Sequence, residues 1–159
     1  MGMSDVYLGH SAINGQGVFA GRDFSVGERV LEYKGPLVHG SDIPKDDFYG
    51  LGDRYVQIGQ DLFLGASDEI DDYLNHSCNP NAGIVVEGNT VNVVAIRPIP
   101  AGEEIVWDYS TTLDMKGEWE VRCTCGSSNC RGFVRDFLSL PPETQQRYKD
   151  LGVVPQYLF

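Results

Sequence analysis

Asn75-His76-Ser77-Cys78-Asn79-Pro80-Asn81 places amide, imidazole, hydroxyl and thiol side chains in seven consecutive residues. Neither alternation nor a 3.6-residue apolar period fits such a run, so it forms no ordinary strand or helix. Its side chains and backbone can hydrogen-bond many groups at once, as a ligand-binding loop requires. His76 and Cys78 are conceivable as base and nucleophile, but adjacency in sequence is not the test for such a pair. A metal that claims the Cys78 thiol would remove it as a nucleophile.

That claim comes from Cys123-Thr124-Cys125-Gly126-Ser127-Ser128-Asn129-Cys130, a C-x-C-x4-C run whose intervening residues are Gly and small polar side chains. Such a loop wraps a small ion without steric cost. Three thiolates need a fourth ligand to close a tetrahedral zinc site. Cys78 is the only other cysteine, which fits a closed four-cysteine site; His76 is the rival ligand. A closed site has no position for water, so zinc here is structural rather than catalytic. It would tie the C-terminal segment back onto the middle of the chain.

The wider composition sets bounds. A chain of 159 residues makes one domain with at most a short tail. It should bury roughly 70% of its unfolded surface without staples. Twelve Lys and Arg against 23 Asp and Glu give a net charge of −11. That disfavours a grip on nucleic acid or on anionic membrane, and a basic partner is the natural complement. No run reaches the ~18 apolar residues of a membrane helix, and no signal peptide is visible at the N-terminus. The expectation is a soluble intracellular protein, cytoplasmic or nuclear, with reduced thiols; clustered cysteines there are more often metal ligands than disulfides. Residues 42–72 hold nine acids against Lys45 and Arg54, a local net charge of −7. This stretch is either a solvated acidic face or a docking surface for a basic peptide.

Most of the first hundred residues read as short strands broken by turns, in keeping with 19 glycines. Residues 29–33 are β-like and stop at Gly35-Pro36. Residues 83–96 read as a hairpin about Gly88-Asn89. Glu104-Ile105-Val106-Trp107-Asp108-Tyr109 is a further strand or strand end. Helix signals are few: Ser67 could cap a short helix to Leu74, and Pro141-Pro142-Glu143 opens one to about Asp150. Residues 22–28 and 97–103 echo one another, the same turn chemistry used twice. Gly15-Gln16-Gly17-Val18-Phe19-Ala20 formally fits a dinucleotide fingerprint, but the residues after it are strand and turn formers, not a helix, so a Rossmann reading fails.

In combination and order, these segments resemble the SET-domain protein-lysine methyltransferases over residues 6–134. Residues 15–20 look like the family's G-x-G-V-F-A segment, and residues 75–81 like its N-H-S-C-x-P-N motif. Residues 102–109 are similar to G-E-E-[LI]-x-x-D-Y, and residues 123–133 to the post-SET zinc segment C-x-C-x4-C-R-G-[FY]. The resemblance implies a mainly β fold of several small antiparallel sheets with a pseudoknot, short helices and a C-terminal zinc-binding segment. The pseudoknot threads the segment ending near Tyr109 through a loop close to Asn75. The implied division is a SET domain at 5–115, a post-SET zinc segment at 118–137 and a helical tail at 138–159. The tail lies outside every motif.

The implied activity is methyl transfer from S-adenosylmethionine to a lysine on a basic peptide or tail, histone or histone-like; no direct nucleic-acid or membrane binding is expected. The competing reading is a SET-fold module that binds a protein partner with little or no catalysis. By position, Gln16, Gly17, Asn75 and His76 contact the cofactor, partly through backbone groups, and Phe133 stacks near its adenine. Cys78, Cys123, Cys125 and Cys130 are the zinc ligands. Tyr109 matches the essential tyrosine. Tyr55 matches the second tyrosine of the lysine channel, with Tyr49 the alternative. Trp107 stands where the family has the Phe or Tyr that tunes how many methyls are added. Asp72 and Tyr73 stand where relatives have a basic residue and an aromatic.

Overall fold

Short strands with frequent turns cannot build one broad sheet, and the described residues make four small ones. The computed structural model describes residues 5–44 and 55–159. The strands are β1 (Val6–His10), β2 (Gln16–Ala20), β3 (Arg29–Tyr33), β4 (Leu37–His39), β5 (Val56–Gly59), β6 (Leu62–Leu64), β7 (Asn75–His76), β8 (Ala82–Glu87), β9 (Thr90–Ala95), β10 (Glu104–Trp107), β11 (Val121–Arg122) and β12 (Phe133–Val134). They are ordered β1-β2-β10-β7, β3-β9-β8, β4-β6-β5 and β11-β12. The β8–β9 hairpin closes at Glu87↔Thr90, with Gly88 at a φ of 62°. Alternate residues Val91, Val93 and Ala95 of β9 face one core with Val18, Ile84, Ile99 and Ile105.

The sheet that positions the functional loop is the unusual one. β10 runs antiparallel to β2 on one edge and parallel to β7 on the other, with Asn75 opposite Val106 and His76 opposite Trp107. Beyond β7 the backbone continues around the strand. Ser77 N donates to Trp107 O at 3.1 Å and Asn81 N to Val106 O at 3.3 Å. Asn81 Oδ1, on a side chain 1% exposed, accepts from Val106 N at 2.9 Å. Residues 75–81 thus embrace β10, in keeping with the pseudoknot that the resemblance implies. Among the described residues, every other strand pair is antiparallel.

The echoed segments turn out to face each other. Phe24 and Ile99 exchange both backbone hydrogen bonds. Gly27 (φ 89°) donates to Ala95 O, and Gly102 (φ 90°) donates to Ala20 O. Arg22 pairs with Glu28 at 2.9 Å, and Arg97 with Glu103 at 3.1 Å. Each arginine reaches six residues along its own turn.

Helix is scarce, as expected, and the first expected helix shrinks to a 3₁₀ turn at Ile70–Tyr73. Asp68 adopts a φ of 62°, and the Asp72 carboxylate accepts the backbone N–H groups of Ser67 and Asp68, each at 2.8 Å. Such local side-chain bonds offer the backbone an alternative to helix. They also change the meaning of the acidic stretch. Asp71 is buried and accepts from Ser67 Oγ and Lys34 N, so two of the acids work inside the fold. Asp42, Asp61, Asp68 and Glu69 remain exposed, while Asp46, Asp47 and Asp53 lie outside the described residues.

The second helix, α1 (Pro142–Asp150), begins at proline and is followed by Gly152 at a φ of 76°. Residues 138–159 do not trail from the domain. Phe137, Leu140, Tyr148, Val153, Val154 and Leu158 form a second core against Val85 and Val94 of the β3-β9-β8 sheet and Ile96 just beyond it. The closest approach is at Gly83 of β8, where an added Cβ would stand 2.6 Å from Val153 Cβ. Gly83→Ala should therefore overpack this junction and lower stability by about 1–3 kcal/mol in urea denaturation.

Candidate active site

Tyr109 follows β10 at the start of a 3₁₀ turn, Tyr109–Thr111, capped by the Asp108 side chain accepting from Ser110 N at 3.0 Å. Three neighbours fix the tyrosine. Its backbone N–H donates to His76 Nδ1 at 3.0 Å, and its hydroxyl donates to Leu74 O. Its ring lies 4.7 Å from that of Trp107 and 5.3 Å from that of His76, centroid to centroid.

The ring also closes a cavity of about 30 Å³ lined by Tyr33, Tyr55, Trp107, Tyr109, Leu113 and Trp119, among others. Tyr55, Trp107 and Tyr109, singled out from sequence, thus share one aromatic chamber; Tyr49 lies outside the described residues. Tyr33 and Trp119 complete it and were missed. Tyr33 ends a strand that sequence reading found, but a strand-end tyrosine carries no sign of what it faces. In the structure its hydroxyl accepts from Trp107 Nε1 at 3.0 Å, with the two rings edge-on. Burial, with the nearby Tyr109, raises the Tyr33 pKa well above the ordinary phenol value, so it stays neutral.

The expected cofactor residues fall beside this chamber. Asn75 Nδ2 stands within 3.2 Å of Ser11 Oγ, Asn14 O, Gln16 O and Glu104 Oε2, which ties the turn at residues 14–17 to β7 and β10. A Cβ at Gly17 would stand 2.8 Å from Glu104 Cδ, so a side chain there would push the carboxylate off Asn75 and Ser11. Gln16 is exposed. Gly15, at a φ of 51°, has open space where a side chain would project. His76 is 8% exposed, and burial holds its pKa down at about 4, against the pull of Asp108. The neutral ring accepts from Tyr109 at Nδ1, which leaves the proton on Nε2, 3.5 Å from Cys78 Sγ. Its approach to Asp108 Oδ1 at 3.6 Å is therefore not an ion pair. Phe133 is placed on β12, 38% exposed, with the Arg135 guanidinium 5.0 Å from its ring centre.

The four cysteines converge. The sulfurs of Cys78, Cys123, Cys125 and Cys130 all lie within 4.8 Å of one another, and His76 is not part of this group. Cys78 Sγ and Cys123 Sγ are 3.7 Å apart, close to the ~3.8 Å edge of a tetrahedron with 2.3 Å bonds. The quartet can hold a metal ion. Backbone donors already point at it: Arg131 N to Cys78 Sγ at 3.4 Å, and Cys125 N to Cys123 Sγ at 3.5 Å. Burial raises the Cys78 pKa to about 11. Thr124 Oγ1 also donates to Ile13 O, joining the cysteine segment to the N-terminal turn.

Asp108, the D of the D-Y pair that ends the residue 102–109 motif, was given no role from the sequence. Its carboxylate is fully buried and is gripped by Arg131 through two bonds of 2.9 and 2.8 Å. Tyr148 OH adds a third at 2.8 Å. The signals in the sequence were the D of the D-Y motif and the Arg that follows Cys130.

This arrangement defines the class. The SET-domain family model matches residues 15–110, and the chain belongs to the SET-domain family. Among curated relatives, it is 35% identical over 135 residues to "Histone-lysine N-methyltransferase, H3 lysine-4 specific" of Cryptococcus neoformans var. neoformans serotype D, covering 78% of this chain and 9% of that protein. It is 32% identical over 141 residues to "Histone-lysine N-methyltransferase trr" of Drosophila melanogaster, covering 82% of this chain and 6% of that one. The chain thus spans less than a tenth of these relatives' length. Among solved structures, the fold resembles KRYPTONITE in complex with mCHG DNA and SAH, with a TM-score of 0.64 and 23% identity over 81% of this chain and 28% of that one.

Removing one partner of a buried ion pair strands the other charge. Arg131→Ala should destabilise the protein by about 3–5 kcal/mol in chemical denaturation, because Asp108 would be left buried without its counter-charge.

Proposed function

We propose that this chain is an S-adenosylmethionine-dependent protein-lysine N-methyltransferase acting on a basic tail of histone type. The observation that carries the reading is the chamber walled by Tyr33, Tyr55, Trp107 and Tyr109, next to the loop that joins residues 14–17 to Asn75. A lysine must lose its proton to attack, and its free pKa is ~10.4. A dry aromatic chamber disfavours the ammonium and lowers that value. The tyrosine hydroxyls orient the amine along one line of attack, and such positioning can be worth about 7–11 kcal/mol. Trp107, held by Tyr33, lines the chamber, and its bulk would limit the room around the amine.

The cofactor supplies a methyl group on a sulfonium sulfur. Gln16, Gly17, Asn75 and His76 would hold it. Both His76 ring nitrogens face protein atoms, so its backbone is what it offers. The open space at Gly15 leaves room for a ligand against the turn. Two solved neighbours carry SAH, the demethylated form of this cofactor, and one of them also holds an H3(1-15) peptide. The net charge of −11 and the exposed acids of residues 42–72 suit a basic partner.

The metal of the cysteine quartet is assigned as one structural zinc. Four thiolates leave no site for water, and the ion fastens residues 123–130 to the loop at Cys78. His76 Nε2–H would donate to the Cys78 thiolate, linking the metal to Tyr109 through one imidazole.

Tyr109→Phe should cut transfer of radiolabelled methyl to recombinant core histones by about a hundredfold or more, with the fold retained by circular dichroism. Undiminished transfer would remove Tyr109 from the chemistry. Cys78→Ser should lower zinc below one ion per chain in elemental analysis and expose residues 123–130 to proteolysis, whereas full occupancy would move the fourth ligand to His76.

A further inference from the structure

The segment that carries Tyr109 is held by two hydroxyls from the far end of the chain. Residues 108–114 leave β10, carry Tyr109, and supply Leu113 to the chamber wall. At its start, Asp108 Oδ2 accepts from Tyr148 OH at 2.8 Å as well as from Arg131 Nη1. At its end, Tyr157 OH lies between two carbonyl oxygens, Thr112 O and Gln57 O, the latter at 3.1 Å. The Gln57 side chain adds a bond from Asp114 N at 2.8 Å and one to Asp114 O at 3.3 Å. Tyr148 is fully buried within α1, and Tyr157 packs against the same small core. Both lie beyond residue 110, where the match to the SET family ends.

We infer that residues 142–159 are a brace for the active-site turn, with Tyr148 and Tyr157 as positioning residues that act through Asp108 and Thr112. The physical reason is specific. A side-chain carboxylate of the residue before Tyr109 can swing about its own rotamers, and its two oxygens must be fixed to fix the turn. Arg131 alone fixes them relative to the cysteine segment. The Tyr148 hydroxyl fixes them relative to the β3-β9-β8 sheet, on which its helix is packed. Burial and the Asp108 carboxylate push the Tyr148 pKa upward, so the phenol keeps the proton it donates. The second hydroxyl bridges Thr112 to Gln57 of β5, so the turn cannot slide away from the wall that holds Tyr55 and Val56.

This inference rests on the proposed role of Tyr109, and its test separates the two. Tyr148→Phe and Tyr157→Phe each remove one oxygen and keep the ring in its core. Val153→Ala loosens the same core without touching either hydroxyl. Each is made in the full chain and compared with wild type well below its melting temperature. Methyl transfer to core histones gives kcat and KM, and 3-fluorotyrosine placed at position 109 gives a ¹⁹F resonance independent of activity. The expected result for Tyr148→Phe is a kcat lower by about tenfold, a KM within about twofold, and a displaced or broadened resonance, since small misplacements at a reacting centre cost rate rather than binding. Val153→Ala should lose melting temperature yet keep kcat and the resonance. Tyr157→Phe carries the test if Tyr148→Phe does not fold. A tyrosine variant that keeps both kcat and resonance, or a Val153→Ala that matches it in both, overturns the brace. Wild-type protein that transfers no methyl overturns the proposed function instead, and the brace is then judged by the resonance alone.

Discussion

Three stretches of chain that are far apart in sequence meet at one buried carboxylate. Asp108 has no exposed side-chain surface, and an isolated charge there would carry a desolvation penalty of several kcal/mol. The fold can keep it only by surrounding it. Arg131 comes from the cysteine segment, Tyr148 from α1, and the Ser110 amide from the turn itself. Satisfying this one group therefore places the cysteine loop, the C-terminal helix and the Tyr109 turn relative to each other. Arg131 follows the quartet's Cys130, and Asp108 lies between the chamber residues Trp107 and Tyr109. Losing any one partner would be felt at both.

The chamber gains its character from which side chains are left unable to ionise. Tyr33 and Tyr148 have pKa values raised by burial, and His76 has one lowered by it. Among the described residues, the cavity lining that includes Tyr109 carries neutral hydrogen-bonding groups, aromatic faces and apolar side chains, with no charged side chain. Under the proposed function, such surroundings would favour a neutral amine over an ammonium and prepare the nucleophile by solvation rather than by a strong base.

Local chemistry made much of this legible. Strands at residues 29–33 and 104–107, the hairpin about Gly88, the helix after Pro141 and the cysteine spacing all follow from patterns a few residues long. Tyr55, Trp107 and Tyr109 were found through motif resemblance. What stayed hidden depends on contacts between distant residues. Nothing near Tyr33 says that a tryptophan indole will donate to it, and nothing near Tyr148 says that it faces Asp108. The helix expected at Ser67 failed because a carboxylate four to five residues on competes for its first amides. Residues 138–159 read as a tail because they lie outside every motif, yet they cover one face of a sheet.

The paired turns about Phe24 and Ile99 have a consequence for how the domain opens. Each turn is completed by donors from the other: Phe24 and Ile99 bond reciprocally, while Gly27 and Gly102 each reach the strand that leads into the opposite turn. Neither is finished in the other's absence, so the two cannot fray separately. They form a clasp that joins the start of the chain to β10, the strand that leads to Tyr109. Their amides share one opening free energy, and the clasp either holds the two ends of the domain together or releases both at once.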